Sequence, residues 1–166
     1  MAEVADLFRR LTTGVYVIGV AQGERRNAFT AAWLTPVSFD PLLLALSVNT
    51  GNFSYPLLIG GGGFVVNVLR RDRIDLAKAF GTRSGGDEDK LAGIAWRPAA
   101  SGAPILADAI AWLECRLHQR VPAGDHEIIL GRPVAGELVS PDAAPLLYPD
   151  TGELDGSRSL YPGTLG

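Results

Sequence analysis

The sequence has one cysteine and no long apolar run, and both scarcities exclude classes of protein. Cys115 has no partner for a disulfide within the chain, and no Cys/His spacing matches a zinc site, so we expect a buried small apolar residue. No stretch of about 18 uncharged apolar residues is present, which predicts that no segment crosses a membrane. Residues 1–6 carry acidic side chains where a secretory peptide needs a basic start, so we expect a cytoplasmic protein.

Concentrated positive charge and the common catalytic motifs are also missing. The net charge is −3, and Lys and Arg form no stripe, which argues against nucleic acid as the main partner. The sequence contains no G-x-S-x-G elbow, no H-E-x-x-H helix, no P-loop and no obvious pair of carboxylates in an apolar setting. Any redox chemistry must therefore be carried by a cofactor.

The residues that are present fit one compact domain rich in strands. A chain of 166 residues with 47% hydrophobic content suffices for a single core. Residues 14–21 and 42–48 are apolar on both faces, and the polar residues 22–26 predict a hairpin turn after the first of them. A strand that is buried on both sides in so small a chain needs additional cover, and a second copy is the simplest candidate. The sequence thus predicts a homodimer.

Two short helices are predicted in the first half of the chain. Apolar residues at helical spacing predict an amphipathic helix over residues 3–11. Cap-forming residues precede Pro56, which suits a first helical turn and so marks the start of a second helix. The glycines at 60–63 follow this helix and lead into a strand. That order favours a helix C-cap and tight turn over a phosphate-binding loop.

A third helix is predicted over residues 73–80, with Asp72 as its cap and Gly81 at its end. Ile74, Ala77 and Phe80 are expected to share its apolar face. The residues that follow, 82–90, are polar and contain glycine, so we expect a mobile loop there.

Two long strands are predicted in the C-terminal half. Alternation of apolar and polar residues places Glu114 and His118 on a water-facing side of the first strand. Residues 121–125 are expected to form the turn into the second strand, residues 126–139. Pro133 lacks the N–H that a central strand needs, so it predicts a bulge or an edge position.

Four motifs occur in a fixed order along the chain. They are residues 27–32 (NAFTAA), 38–42 (SFDPL), 64–69 (FVVNVL) and 124–131 (GDHEIILG). Together they resemble the flavin reductase-like FMN-binding split-barrel family, over roughly residues 5–140. The chain departs from the family pattern at Phe29, where methionine is frequent, and at Leu42, which replaces the second of two prolines.

The resemblance implies a mainly β fold: an FMN-binding split β-barrel, of the antiparallel Greek-key type, with short peripheral helices. It also implies a homodimer with a flavin in each intersubunit groove. Residues 1–147 would form this domain, and residues 148–166 a tail that is extended across the partner or flexible. The implied activity is reduction of FMN, with FAD as the other candidate flavin, by NADH or NADPH. A flavin-dependent monooxygenase is the implied downstream partner.

The family motifs carry candidate site residues. Small side chains next to Trp33 permit close approach of a flat ring to the backbone, and Arg83 and Lys90 could neutralise a phosphate. The candidate cofactor-binding residues are Asn27, Thr30, Ala31, Ala32, Trp33, Ser47, Asn49, Asn52, Phe53, Ser54 and Arg83.

His126 is the candidate catalytic residue. An imidazole at the mouth of a Gly-Asp-His turn can hydrogen-bond to nicotinamide or flavin, or change charge near pH 7, without acting as a covalent catalyst. Asp125 either orients His126 or holds the turn. Asn52 and Ser54 either bind the FMN phosphate or only cap the helix. Trp33 either packs beside the ring or is an ordinary core or dimer-contact aromatic.

Two other functions stay open from the sequence. The first is an FMN-binding electron-transfer protein, similar to flavoredoxin, that has no nicotinamide site. The second is a ligand-binding or structural dimer that has lost its flavin.

Overall fold

The computed structural model describes residues 3–166, in which short helices surround antiparallel strands. The elements follow one another in the order α1 (Val4–Phe8), β1 (Tyr16–Gln22), β2 (Arg25–Ala31), β3 (Leu34–Phe39), β4 (Leu42–Asn49), α2 (Tyr55–Gly61), β5 (Gly63–Leu69), α3 (Ile74–Gly81), β6 (Trp96–Pro98), β7 (Pro104–Leu106), β8 (Ala109–Ala123) and β9 (His126–Leu138). Two 3-10 helices, Tyr148–Thr151 and Ser157–Leu160, follow in the tail.

Seven strands form one antiparallel sheet in the order β2-β1-β5-β8-β9-β4-β3, and β6 pairs with β7 separately. The two end strands, β2 and β3, are consecutive in the chain and are joined only by Ala32 and Trp33. The sheet therefore curls into a barrel that stays open along one seam. The predicted fold class, a mainly β split barrel with short peripheral helices, is confirmed.

Alternate residues of the strands fill the barrel interior. Ile18, Phe64 and Ile129 are buried together there. Val17, on the other face of β1, is buried in a second cluster with Phe80 of α3. The first predicted strand is apolar on both faces because the barrel interior covers one face and α3 covers the other.

The hairpin of β8 and β9 turns at Gly124 and Asp125 alone, because Val121 is paired with Ile128 and the strand continues to Ala123. Gly124 has a φ of 66°, the conformation that a two-residue hairpin turn requires at its first position. The predicted turn over residues 121–125 is therefore too long.

Pro133 lies beside a bulge, as predicted from its missing N–H. Cys115 is paired with Pro133 and Glu114 with Ala135, so Val134 is the extra residue of β9. His118 is exposed on β8, also as predicted.

Glu114 is buried, and the prediction that it faces water is wrong. Its Oε1 accepts a hydrogen bond of 2.8 Å from the backbone N–H of Ser101. The segment around Ala103 and Ile105 covers this outer face of the sheet, where it packs against Val65, the partner of Glu114 on β5. Cys115 is buried as predicted, and burial, with the nearby Glu114 carboxylate, raises the pKa of its thiol to about 12.

The ends of α2 agree with the sequence. Pro56 lies in the first turn, and Gly62 ends the helix with a φ of 72°. The glycines at 60–63 thus form a C-cap and tight turn, and that prediction is confirmed.

The ends of α1 and α3 differ from their predictions. Helix α1 is shorter than residues 3–11. At α3, Arg73 occupies the N-cap position without a side-chain cap, and the carboxylate of Asp72 instead pairs with Arg70. The predicted cap is wrong because this ion pair satisfies Asp72. Ile74 is half-exposed, and Leu76 joins the buried face instead. None of the helices within residues 3–166 has the length and apolar character that a membrane crossing requires.

The tail folds back on its own chain. Arg158 makes ion pairs with Glu3, Asp6 and Glu153, so the second 3-10 helix is held against α1. Thr151 in the first 3-10 helix is buried. The proposed boundary after residue 147 and the flexibility of the tail stay predictions.

The edge strand β3 is irregular. Pro36 is paired with Leu44 and Ser38 with Leu43, which leaves Val37 as a bulge. A proline and a bulge thus lie together in the middle of a free edge.

Candidate functional site

Two adjoining cavities lie along the seam side of the barrel and share Phe29, Thr30 and Asn52. Their volumes are ≈ 350 Å³ and ≈ 330 Å³, at the lower end of the range of about 300–1,000 Å³ that is typical of small-molecule sites. The first, here the histidine cavity, is lined by Phe29, Thr30, Ala31, Ala32, Trp33, Ser47, Val48, Asn49, Asn52, His126, Tyr148, Asp155, Ser157 and Leu160. The second, the arginine cavity, is lined by Asn27, Phe29, Thr30, Gly51, Asn52, Phe53, Phe80, Gly81, Thr82, Arg83, Ser84, Gly85 and Lys90.

The register of the sheet places residues that line the histidine cavity next to one another. His126 at the start of β9 is paired with Asn49 at the end of β4. The backbone N–H of Ser47 donates to the carbonyl of Trp33 at 2.9 Å, which ties the link between β2 and β3 to β4. Since β2 is an edge strand, one side of its backbone is free of sheet partners. Its small Ala31 side chain leaves that backbone accessible to a flat ligand.

His126 is held in a defined orientation. Its Nδ1 lies 2.7 Å from the Asp125 Oδ1, and its ring centroid lies 5.1 Å from that of Trp33. This contact with His126 lowers the pKa of the Asp125 carboxyl. With Nδ1 engaged, Nε2 is the imidazole nitrogen that remains for a ligand. Asp125 therefore orients His126, one of the two roles that the sequence left open.

Ser54 supports the arginine cavity from behind. It is fully buried, lines neither cavity, and its Oγ accepts a 2.8 Å hydrogen bond from the Asn27 amide. The backbone N–H of Ser54 donates to Asn52 Oδ1 at 2.8 Å. Asn27 and Asn52 are thereby fixed at the cavity wall, and Ser54 acts through them.

Two cations lie at one end of the arginine cavity. Arg83 pairs with Glu88 at 3.1 Å. The Lys90 ammonium is almost wholly buried and donates to the carbonyl of Phe80 at 3.1 Å. Burial and the neighbouring Arg83 lower the pKa of Lys90 to about 8. A cation held in this way lacks a full counter-charge, so the cavity favours an anion.

All predicted site residues except Ser54 line one of the two cavities. The sequence patterns missed Gly85, where a Cβ would lie 2.2 Å from the Asn27 amide nitrogen and would displace that side chain. They also missed the tail residues of the histidine cavity, such as Tyr148 and Asp155, whose side chains are hydrogen-bonded at 2.7 Å. The sequence does contain one signal for these tail residues, because the tail carries aromatic and acidic residues but has no core-forming pattern.

The chemistry of the cleft matches one kind of ligand. The histidine cavity offers small side chains, a free strand edge, an indole and an imidazole, and the arginine cavity offers amides and cations. Within residues 3–166, no group of three or more His, Cys, Asp or Glu side chains could hold a metal ion. The fold and site thus define a split-barrel protein suited to a planar ligand with an anionic tail.

Comparison with known proteins identifies the family. Residues 8–154 match the model of the flavin reductase like domain, and the chain belongs to that family. It is 38% identical over 151 residues to the NADH-dependent FMN reductase AsuE2 of Streptomyces nodosus subsp. asukaensis, covering 85% of this chain and 79% of that one. The chain spans less than two thirds of the length of two other curated relatives that it matches, 23% of one and 61% of the other.

Solved structures share the fold. The NADH:FAD oxidoreductase SgcE6 of Streptomyces globisporus C-1027 has a TM-score of 0.82 at 30% identity, covering 89% of this chain and 88% of that chain. Nitrilotriacetate monooxygenase component B from Mycobacterium thermoresistibile has a TM-score of 0.77 at 30% identity, covering 86% and 81%. Both are similar in sequence as well as in fold.

Proposed function

We propose that this chain is a flavin reductase that transfers a hydride from NADH or NADPH to FMN. The observation that carries the proposal is the pair of adjoining cavities, of which one has small side chains and a free strand edge and the other has two cations. The family, whose relatives include an NADH-dependent FMN reductase, supports the same activity. Bound flavin supplies the hydride-accepting chemistry, and the protein supplies binding, orientation and exclusion of water.

The residues present fit FMN in one orientation. Ala31, Ala32 and Trp33 would border the flat ring, and unpaired backbone groups of β2 would hydrogen-bond to its edge. Arg83 and Lys90 would bind the phosphate, because the arginine cavity has no acidic side chain in its lining. FAD fits the same proposal if its adenosine part extends out of the cleft.

His126 would act on the ligand through Nε2. Its ring is fixed by Asp125 and Trp33. A fixed imidazole can bind or polarise the flavin or the nicotinamide amide by a hydrogen bond, and it does not form a covalent bond with either.

Oxidation of NADH and NADPH, followed with and without added FMN, tests the activity. The proposal expects oxidation that depends on FMN. Tight FMN binding without nicotinamide oxidation would instead identify an electron-transfer protein. Absence of flavin absorbance after FMN addition and gel filtration, together with no oxidation, would identify a dimer that has lost its flavin.

We also infer a homodimer that works in the cytoplasm, where both nucleotides are available. Phe39 is 99% exposed at the end of β3, and Val37 and Leu42 beside it are about half exposed. A contiguous apolar surface of this kind on an edge strand is typical of a subunit interface. Reduced flavin would then serve a separate flavin-dependent monooxygenase, in line with a relative that is itself a monooxygenase component.

A further inference from the structure

We propose that Tyr55, Arg120 and Glu127 form a positioning network that fixes His126 relative to the ligand-binding loop 49–54. The inference rests on the proposed flavin reductase function only for its effect on turnover. None of the three residues lines the histidine cavity or the arginine cavity. They would act through their neighbours in the chain.

The three side chains make a closed set of contacts. The Tyr55 hydroxyl donates to Glu127 Oε2 at 2.8 Å and accepts from the Arg120 guanidinium, also at 2.8 Å. Arg120 Nε donates to Glu127 Oε1, and its terminal nitrogen lies 3.3 Å from Oε2. Every pair within the network is therefore in direct contact. A fully paired set of polar groups has one preferred geometry.

The network connects three separate elements at one end of the barrel. Tyr55 is the first residue of α2, Arg120 lies in β8, and Glu127 is the second residue of β9. Arg120 is paired with Ile129, so it extends toward the same face of the sheet as Ile129 and Glu127. The tyrosine ring packs against the barrel core, and Glu127 is only 8% exposed.

The position of Glu127 in the chain explains why this network controls His126. Adjacent residues of a strand point to opposite faces, so a carboxylate locked on the inner side sets the direction of His126 on the other side. At the other end, Tyr55 directly follows the loop in which Asn52 and Phe53 line the cavities. One set of hydrogen bonds thus determines the distance between the imidazole and the loop.

The charges in the network are mutually stabilised. The hydrogen bond from Arg120 lowers the pKa of the Glu127 carboxyl, and the Tyr55 hydroxyl adds to this effect. Burial and the bond to Glu127 raise the pKa of the Tyr55 hydroxyl, so it remains a donor at neutral pH. At neutral pH the network therefore consists of an ionised carboxylate, a neutral phenol and a guanidinium.

Two substitutions that preserve shape test the network. Glu127→Gln removes the charge, and Tyr55→Phe keeps the ring in the core but removes the hydroxyl. The matched control is Glu137→Gln in the same strand, because Glu137 contacts Trp112 and Arg97 at the far end of the hairpin, away from both cavities. All three proteins are compared with the wild type for thermal unfolding before any other measurement.

The decisive readout is the NMR spectrum of the imidazoles. The chain has only two histidines, His118 and His126, so each resonance can be assigned with a single variant. Glu127→Gln and Tyr55→Phe should shift the His126 resonances and weaken its ring contact with Trp33. Glu137→Gln should leave both histidines unchanged. Unchanged His126 resonances in both network variants would overturn the proposal, whatever the catalytic activity is.

Turnover gives the second readout. In both network variants kcat should fall at least about fivefold while KM for FMN changes less than about twofold, because misplaced reacting groups lower kcat and the phosphate contacts remain. A wild type without FMN-dependent oxidation would defeat the proposed function and leave the NMR test standing. An active wild type with unaffected network variants would defeat the positioning role alone.

Discussion

At the scale of single residues, Lys90 has a buried ammonium group whose pKa the folded protein lowers. Burial and Arg83 lower its pKa to about 8. In the unfolded chain the lysine titrates near its ordinary value of about 10.4, so between these values the unfolded state binds more protons. The contribution of Lys90 to folding stability therefore becomes more favourable as pH rises from about 8 to about 10.

The same titration predicts how affinity for a phosphate depends on pH. Below the pKa of about 8 the ammonium is charged and attracts the FMN phosphate, and above it the attraction is lost unless binding takes up a proton. The preference for FMN over riboflavin should thus decrease between pH 7 and pH 9.5, as measured by the dissociation constants of both flavins. Lys90→Met should abolish this pH dependence, and Lys78→Met, which changes the exposed lysine of α3, should retain it. A constant ratio in the wild type would exclude Lys90 from the phosphate site.

His126 permits a prediction that separates chemistry from binding. His126→Ala removes one hydrogen-bonding group but leaves the cations and the strand edge in place. We expect kcat to fall at least about tenfold, since positioned proton donors contribute this much or more. The dissociation constant of FMN should change less than about threefold, because many other contacts remain.

His118→Ala is the control, because its side chain is exposed on β8 and lines neither cavity. It should match the wild type in both quantities. Wild-type turnover of His126→Ala with NADH and with NADPH would remove His126 from the site.

At the scale of elements, Gly62 shows how one residue ends a helix and starts a strand. Its φ of 72° is favourable for glycine and strained for alanine, and a Cβ there would meet no neighbouring atom within 4 Å. Gly62→Ala should therefore lower the free energy of unfolding by about 1 kcal/mol through backbone strain alone.

Urea denaturation measures this effect. Gly163→Ala is the comparison, because Gly163 has neither a positive φ nor a neighbour within 4 Å. It should change stability by less than about 0.5 kcal/mol. Equal effects of the two substitutions would contradict the role of the left-handed conformation.

Elements that depend on neighbouring residues could be predicted from the sequence, and those that depend on distant contacts could not. The glycines at 60–63 and the bulge beside Pro133 follow from the chemistry of single residues. The burial of Glu114 depends on the N–H of Ser101, and this contact leaves no periodic pattern. The pairing of Asp72 with Arg70 is local, but it competes with the capping role that the sequence suggests.

The residues of the candidate site also fall into a group that could be predicted from local sequence and a group that could not. Strand β2 and His126 were found through ordered motifs, because each motif lies within a few residues. The tail residues that line the histidine cavity were missed because the tail is held in place by ion pairs of Arg158 with Glu3 and Asp6, at the other end of the chain. Contacts between the two ends of a chain are invisible to any local pattern.

At the scale of the whole molecule, the exposed apolar side chains on β3 and β4 allow a test of the homodimer. Phe39→Glu places a charge on the inferred interface and should raise the dimer dissociation constant at least about 30-fold, which corresponds to the loss of a central aromatic anchor. Analytical ultracentrifugation over a range of concentrations measures this change.

Leu165→Glu is the matched substitution at an exposed apolar residue in the tail. It should leave the dimer intact. A wild-type chain that sediments as a monomer at all concentrations would refute the homodimer.

The irregular edge at Pro36 has a consequence for behaviour in a crowded cell. A regular free edge offers a row of donors and acceptors onto which further strands can add without limit, as in fibrils. Pro36 withholds one donor, and the bulge at Val37 breaks the spacing of the others. This barrel can therefore keep its seam open for small molecules and still resist the repeated addition of strands from other molecules.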